Sequence, residues 1–261
     1  MDQLHAIAER MTSWQTLDDL IDDTFDTMRH MGFEALIYDY TPLPCDMNGR
    51  LEIPTLLKLR NVTDDMHDYW CEREYFRIDP VQRLATQTSV PFFWNYDPDV
   101  ETKISEFLTD DTKPVCDFLR EHDMRAGVTV PVHMPRGDYA TVTGVRFGAR
   151  KDFQADATRV LADFNLLAHL FHEAAYGMFD ETVLNSSGVR LTDRERECLA
   201  YSSHGLSAKE ISRIIDRSVP TVVMHLNSAA RKLNAKNRTQ AVVRATQCRL
   251  LDPLPGFSPN Q

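Results

Sequence analysis

Residues 191–251 read LTDRERECLAYSSHGLSAKEISRIIDRSVPTVVMHLNSAARKLNAKNRTQAVVRATQCRLL, a run of four short helices divided by turn signals. Thr192 is an N-cap, and Glu195 three residues on closes a capping box. His204-Gly205 ends the first helix, because glycine tolerates the left-handed conformation a helix C-terminus needs. Ser207 caps the next helix, again with a glutamate, Glu210, at the third position. That helix carries Ile211, Ile214 and Ile215 on one face. Asp216-Arg217-Ser218 makes the turn, and Pro220 opens Thr221–Leu233. Val222, Leu226, Ala229 (or Ala230) and Leu233 form one buried stripe of this helix. Thr221, His225, Ser228, Arg231 and Lys232 are left for an outer face. The spacing of the middle pair is that of a helix-turn-helix, so the five outer residues are candidates for DNA contact.

Charge separates this segment from the rest of the chain. Residues 190–250 hold 12 Lys+Arg against 5 Asp+Glu, a net +7, whereas residues 1–189 carry a net −16. Only the basic end can release counterions from a phosphate backbone. A basic helical domain that binds protein is the alternative.

The segment resembles the LuxR-type DNA-binding domain. Leu191-Thr192, Arg194-Glu195, Gly205, Leu206-Ser207, Lys209-Glu210-Ile211, Thr221-Val222, His225-Leu226, Lys232-Leu233 and Asn237-Arg238-Thr239-Gln240-Ala241 carry the match. Two places depart from the pattern. Asp216-Arg217-Ser218 stands where the family has an apolar-Gly-apolar turn. Val223-Met224 stands where members often have a polar or basic pair. These departures bear on the base-reading residues, not on the fold.

The 261-residue length predicts two domains, and the 43% hydrophobic fraction supports packed cores. No apolar run reaches the roughly 18 residues of a membrane span. Met1–Met11 is charged and lacks an apolar signal core, so a cytoplasmic location is expected. Cys45, Cys71, Cys116, Cys198 and Cys248 form no CxxC, which predicts core thiols and no metal site. His169 and His172 lie three apart on a helix, without the further ligands a metal needs.

Upstream, Leu17, Leu20, Ile21, Phe25 and Met28 recur at helical spacing over 16–31. Phe33–Tyr40 and Thr55–Arg60 read as strands. Thr63 is read as the cap of a helix through Arg73, and a short helix starts at Asp79-Pro80. Pro91–Trp94 reads as a strand and 101–122 as a helix. Gly127–Met134 and Tyr139–Phe147 form a hairpin across Pro135-Arg136-Gly137-Asp138. A long helix covers 153–178, apolar over more than one face, so it fits a buried core helix or a homodimer seam. The dimer is favoured, because a helix that reads one half-site usually needs a second copy. The expected class is α+β. Residues 1–178 form an α/β/α sandwich on a central antiparallel sheet, and 191–251 a four-helix, all-α helix-turn-helix domain. Residues 179–190, with Asn185-Ser186-Ser187-Gly188, read as a linker and 252–261 as a tail.

One constellation in the acidic domain has the composition of a small-molecule site. Met66 and Trp70 are four apart and share a helical face. Tyr75, Asp79 and Trp94 follow, and Thr129 and Thr143 lie on hairpin partners. Aromatic walls with a few fixed polar groups suit a bound organic molecule. Each residue also has a plain structural reading: Tyr75 and Trp94 as core, Asp79 as a helix N-cap. Periodicity alone does not choose.

Residues 16–175 are similar to the autoinducer-binding domain of LuxR-family quorum-sensing regulators. Asp79-Pro80, Trp94 fifteen residues on, and Gly127-Val128-Thr129-Val130-Pro131 carry that match. The resemblance implies that Asp79 accepts a ligand amide N–H, that Trp94 packs on the ligand ring, and that Thr129 and Thr143 line the site. Met66 stands where the family has a tryptophan that binds the lactone carbonyl. Trp70 stands where it has a tyrosine that binds the acyl carbonyl. Methionine has no donor. A lactone carbonyl buried beside it would lose about 1–3 kcal/mol. The pair matches the LuxR solos of plant-associated bacteria, which implies a plant-derived low-molecular-weight signal. The alternatives are an acyl-homoserine lactone receptor and a ligand-independent regulator. DNA, the signal, a second copy of the chain and, for an activator, RNA polymerase are the expected partners, with no cofactor. An enzyme using Asp79 and His133 lacks a nucleophile–base–orienter set. Asp22-Asp23 lies on a helix, without the strand-end pattern of a phospho-acceptor.

Overall fold

The computed structural model describes residues 14–42, 50–134, 137–148, 153–184, 191–247 and 250–251. The charged N-terminus, Cys45, Pro135-Arg136, the Asn185–Gly188 stretch, Cys248 and the tail lie outside them. The chain divides after Leu184 into two compact units.

In the first unit, α1 (Leu17–His30) is capped by Thr16, whose side chain accepts the Asp19 N–H, and buries Leu20, Ile21 and Met28. Five strands follow: β1 (Ala35–Thr41), β2 (Leu56–Arg60), β3 (Phe92–Asn95), β4 (Ala126–His133) and β5 (Tyr139–Arg146). They pair antiparallel in the order β2-β1-β5-β4-β3. Pro131 pairs with Thr141 on β5, beyond the stretch of β4 that β3 covers, so its missing N–H breaks no ladder bond there.

Side-chain alternation splits the sheet into two apolar faces. Leu36, Tyr38, Val128, Val130 and Val142 pack against α1 and the long helix α5 (Phe153–Tyr176) through Phe164, Leu167 and Phe171. Ala35, Ile37, Phe92, Trp94 and Tyr139 face the other way. There they meet α2 (Tyr75–Ile78), α3 (Pro80–Ala85) and α4 (Lys113–Glu121), through Phe76, Val81 and Phe118. The expected sandwich is present.

Three local readings change. Thr63 caps no helix: its hydroxyl is buried without a hydrogen-bond partner among the described residues, and Asp68–Glu72 wind as a π-helical segment instead. Trp70, within this segment, is buried. The single helix expected over 101–122 is two pieces, a short 3₁₀ turn at Ser105–Phe107 and α4. Thr112 explains the break, because its hydroxyl donates to the Phe107 and Thr109 carbonyls and Pro114 follows in the first turn of α4. The first part of the expected linker is ordered: α6 (Glu181–Leu184) lies on the first unit, Phe179 packs on Tyr40, and Val183 accepts the Thr55 hydroxyl.

α5 spends much of its apolar surface inside, since Val160, Leu161 and Leu170 also join the first core. Leu166 is its one exposed large apolar side chain among the described residues. His172 is buried and bonds Tyr38, so it pairs with a phenol and not with His169 around a metal. No helix among the described residues is long and apolar enough to cross a membrane.

The second unit is four helices, α7 (Asp193–Ser203), α8 (Ala208–Ile214), α9 (Val219–Lys232) and α10 (Arg238–Gln247). Both expected capping boxes form, at Thr192/Glu195 and Ser207/Glu210. Asp216 takes φ 51 in the turn before α9, the left-handed region where glycine is favoured. Aspartate is one of the few residues that adopts it at small cost. The departure in this turn therefore leaves the helix pair intact.

Candidate functional site

The sheet face turned toward α2–α4 carries a belt of polar groups inside an apolar cluster. Asp39 and Thr141 are cross-strand partners, as are Thr129 and Thr143. Trp94 Nε1 donates to Thr129 Oγ1 at 2.9 Å, and the Thr129 and Thr143 hydroxyls are 2.8 Å apart. Trp94 can lie this low because Gly127 beneath it has no Cβ. Gln82 reaches in from the helical side: Tyr139 of β5 donates to its Oε1 at 2.9 Å, and its Nε2 donates to Asp39 Oδ2 at 3.0 Å. The Thr141 hydroxyl donates to the same Asp39 oxygen.

Asp79 is the N-cap of α3. Its Oδ2 accepts the Gln82 backbone N–H at 3.2 Å, and its Oδ1 accepts the Tyr96 hydroxyl at 2.6 Å. These bonds leave acceptor capacity, because an ionised carboxylate has about four lone-pair sites. Burial pushes the Asp79 carboxyl up to about 6, against the hydrogen bonds from Tyr96 and from the Val81 and Gln82 N–H groups. Burial pushes Asp39 up to about 7. Thr141 and Gln82 oppose that rise, and the charge of Asp79 adds to it.

Like Thr41 Oγ1 further along β1, Trp70 Nε1 and Asp39 Oδ1 are buried in this layer without a hydrogen-bond partner among the described residues. An unpaired buried donor or acceptor costs about 1–3 kcal/mol. Both side chains face the layer that holds Met66 and Trp94.

The structure thus brings Met66, Trp70, Asp79, Trp94, Thr129 and Thr143 together, all buried. Tyr75 is half-buried at the rim, against Tyr69 and Phe118 and beside an open cleft of 740 Å³. His133 stands apart, with Nε2 3.0–3.1 Å from the Thr88 and Ala85 carbonyls. Asp39, Gln82, Tyr96, Tyr139 and Thr141 were not singled out by sequence. Asp39 had a signal: it is the one charge in the strand ALIYDYT and shares parity with the inward Ile37.

In the second unit, Val222, Leu226, Ala229 and Leu233 are buried, as their spacing predicts. Ser218, rather than the turn into Pro220 alone, caps α9, and its Oγ accepts the Thr221 N–H at 3.3 Å. The face opposite the buried stripe is Pro220, Met224, Asn227 and Arg231, with Val223 beside it; all are exposed. Of the five residues expected there, Arg231 lies on this face. The Thr221 hydroxyl is 2.8 Å from that of Ser218, and His225 is half-buried. Lys232 Nζ donates to Glu195 Oε2 at 2.7 Å, and Ser228 also bonds that carboxylate. Burial alone would raise Glu195, but Lys232, the Thr192 N–H and Ser228 hold it at about 2.

Glu195 therefore closes its own capping box and ties α7 to α9. Lys232→Ala is expected to cost about 1–2 kcal/mol of stability, because it strands a buried carboxylate. Arg231→Ala is expected to leave the melting curve in place and to flatten the salt dependence of DNA binding by about one unit. Equal effects of the two variants on melting would refute this division of roles.

Residues 16–175 match the autoinducer binding domain family, and residues 189–245 match the bacterial regulatory proteins of the luxR family. The chain belongs to the LuxR family. It is a LuxR-type transcriptional regulator with an autoinducer-binding domain, and this is a family of DNA-binding regulators, not of enzymes. Among LuxR-type relatives, the transcriptional activator protein BjaR1 of Bradyrhizobium diazoefficiens is 33% identical over 85% of each chain. RaiR of Rhizobium etli, also named a transcriptional activator, is 32% identical over 77% of this chain and 79% of its own. SdiA in complex with octanoyl-rac-glycerol shares the fold at TM-score 0.67 and 20% identity, over 97% of each chain.

Proposed function

We propose that this LuxR-family chain is a ligand-responsive activator that binds a two-fold DNA site as a homodimer. Its signal is a plant-derived low-molecular-weight compound, not an acyl-homoserine lactone. One observation carries the ligand reading: the buried, unpartnered Trp70 N–H beside Met66. A ligand acceptor at Trp70 restores the missing bond, and a ligand N–H or amine serves Asp79 and the open lone pair of Asp39. Met66 adds contact without a hydrogen bond, so a lactone carbonyl there gains nothing. Trp70 and Trp94 wall the molecule, Thr129 and Thr143 set the floor, and Tyr75 stands at the rim. The named activators among the relatives support activation, with RNA polymerase as the further partner. Leu166 on α5 is the apolar contact offered for the seam between copies.

Melting of the full chain tests this reading. Plant extract should raise the midpoint, since a molecule held only by the folded state adds about 2.7 kcal/mol at 100 times its dissociation constant. Asp79→Asn should remove the shift while the protein still melts cooperatively, because the amide keeps the cap oxygen and loses the charge. Met66→Trp with Trp70→Tyr should move the response toward acyl-homoserine lactones. Nanomolar binding of a common acyl-homoserine lactone by the unmodified chain would sink the plant-compound reading. No shift with any extract or lactone would favour a ligand-independent dimer.

A further inference from the structure

The outer face of α9 is apolar where it is most exposed. Met224 is 56% exposed, Val223 40% and Val219 39%, all in the first half of the helix. Pro220, Val223, Met224, Asn227 and Arg231 recur at three- and four-residue spacing, so they form one continuous stripe. An open cleft of 800 Å³ runs beside it. The one carboxylate lining that cleft, Glu195, is buried against Lys232 and contributes little negative field. The domain around the stripe carries the chain's excess of positive charge.

A surface of this kind needs an occupant that is polyanionic overall and apolar at one point. Duplex DNA meets both demands. Phosphates answer the charge, and the C5-methyl of thymine is the apolar feature that a base pair presents in the major groove. Valine has no group that pairs with a guanine or cytosine edge, and methionine offers only a weakly accepting thioether. Methionine, flexible and polarizable, adapts well to a methyl-sized contact. One turn further on, Asn227 offers the amide that matches adenine N6 and N7.

We propose that Val223 and Met224 read thymine methyl groups in each half-site, and that Asn227 reads an adenine next to them. The half-site core is therefore A·T, and its specificity comes from burying methyl groups rather than from arginine pairing with guanine. This rests on the reading of α9 as the helix that enters the major groove.

The test uses the full-length chain and synthetic DNA. Duplexes with a randomised core are selected for binding, and the enriched site is resynthesised with deoxyuridine replacing thymidine one position at a time. Uracil keeps every hydrogen-bonding group and removes only the methyl. At one or two positions per half-site, the substitution should weaken binding about fourfold, the worth of one buried methyl. In the doubly substituted chain, V223A with M224A, the same uracils should cost nothing. Alanine at exposed helix positions leaves the helix itself intact. The proposal is overturned if uracil is neutral everywhere, or if its penalty persists in the double variant. If no sequence is enriched either with or without plant extract present, α9 does not read bases and the premise itself fails.

Discussion

Gly127→Ala should cost the first unit about 3 kcal/mol or more and dislodge Trp94. A Cβ at residue 127 would press into the Trp94 ring and lie 2.5 Å from the Gly144 carbonyl oxygen. Neither obstacle is the tip of a flexible chain: one is a fused ring held at 2.9 Å by Thr129, the other is sheet backbone. Overpacking of this sort typically costs 1–3 kcal/mol, and more where backbone must move. For a unit of this size that is about 6–12 °C in Tm. The Trp94–Thr129 bond should go with it. Gly177→Ala is the control, because its Cβ would meet only the Ala174 carbonyl oxygen, at 3.5 Å. If both variants melted with the unmodified chain, Trp94 would not be fixed by the close approach of β4.

Stability should fall as pH rises from about 4 to about 7, and Asp39→Asn should remove much of that fall. In the folded chain the Asp39 carboxyl titrates near 7, against 3.8 as its ordinary value. The folded state therefore binds the proton more tightly than the unfolded one. Its contribution is fully present below the unfolded value and is lost as pH passes through the folded one. At 1.36 kcal/mol per unit, about 4 kcal/mol is lost across this window. Asp79, near 6, adds to the same decline. Replacing Asp39 by asparagine removes the charge but keeps an oxygen for Thr141 and Gln82. The variant should be more stable than the unmodified chain at pH 8, by about 1–3 kcal/mol. It should be close to it at pH 4. Denaturant titrations at several pH values check this. An unchanged slope would mean that the folded Asp39 carboxyl titrates near its ordinary value, because water reaches it.

Much of this molecule was legible from local rules. Caps at Thr192 and Ser207, the buried stripe of α9 and the alternation of β4 and β5 each depend on neighbours three, four or two residues away. Such spacing survives in a linear text. The polar belt was half legible for the same reason. Met66, Trp70, Asp79 and Trp94 fall in register with a family pattern, and their distances along the chain are fixed.

The rest depended on contacts between distant segments. Asp39 and Thr141 become partners only when β1 pairs with β5, about a hundred residues apart. The Tyr96–Asp79 bond and the Gln82 bridge likewise need the helical layer seated on the sheet. The outer face of α9 shows the same limit. Charge and polarity chose Ser228 and Lys232 for DNA, whereas packing against α7 engages both with a buried glutamate and leaves Val223 and Met224 exposed. Sequence determined which elements form and which stripe of each is apolar, because those depend on short-range periodicity. The tertiary structure decided which polar groups find partners in the interior and which remain open for a ligand or for DNA. That depends on which surfaces other segments bury.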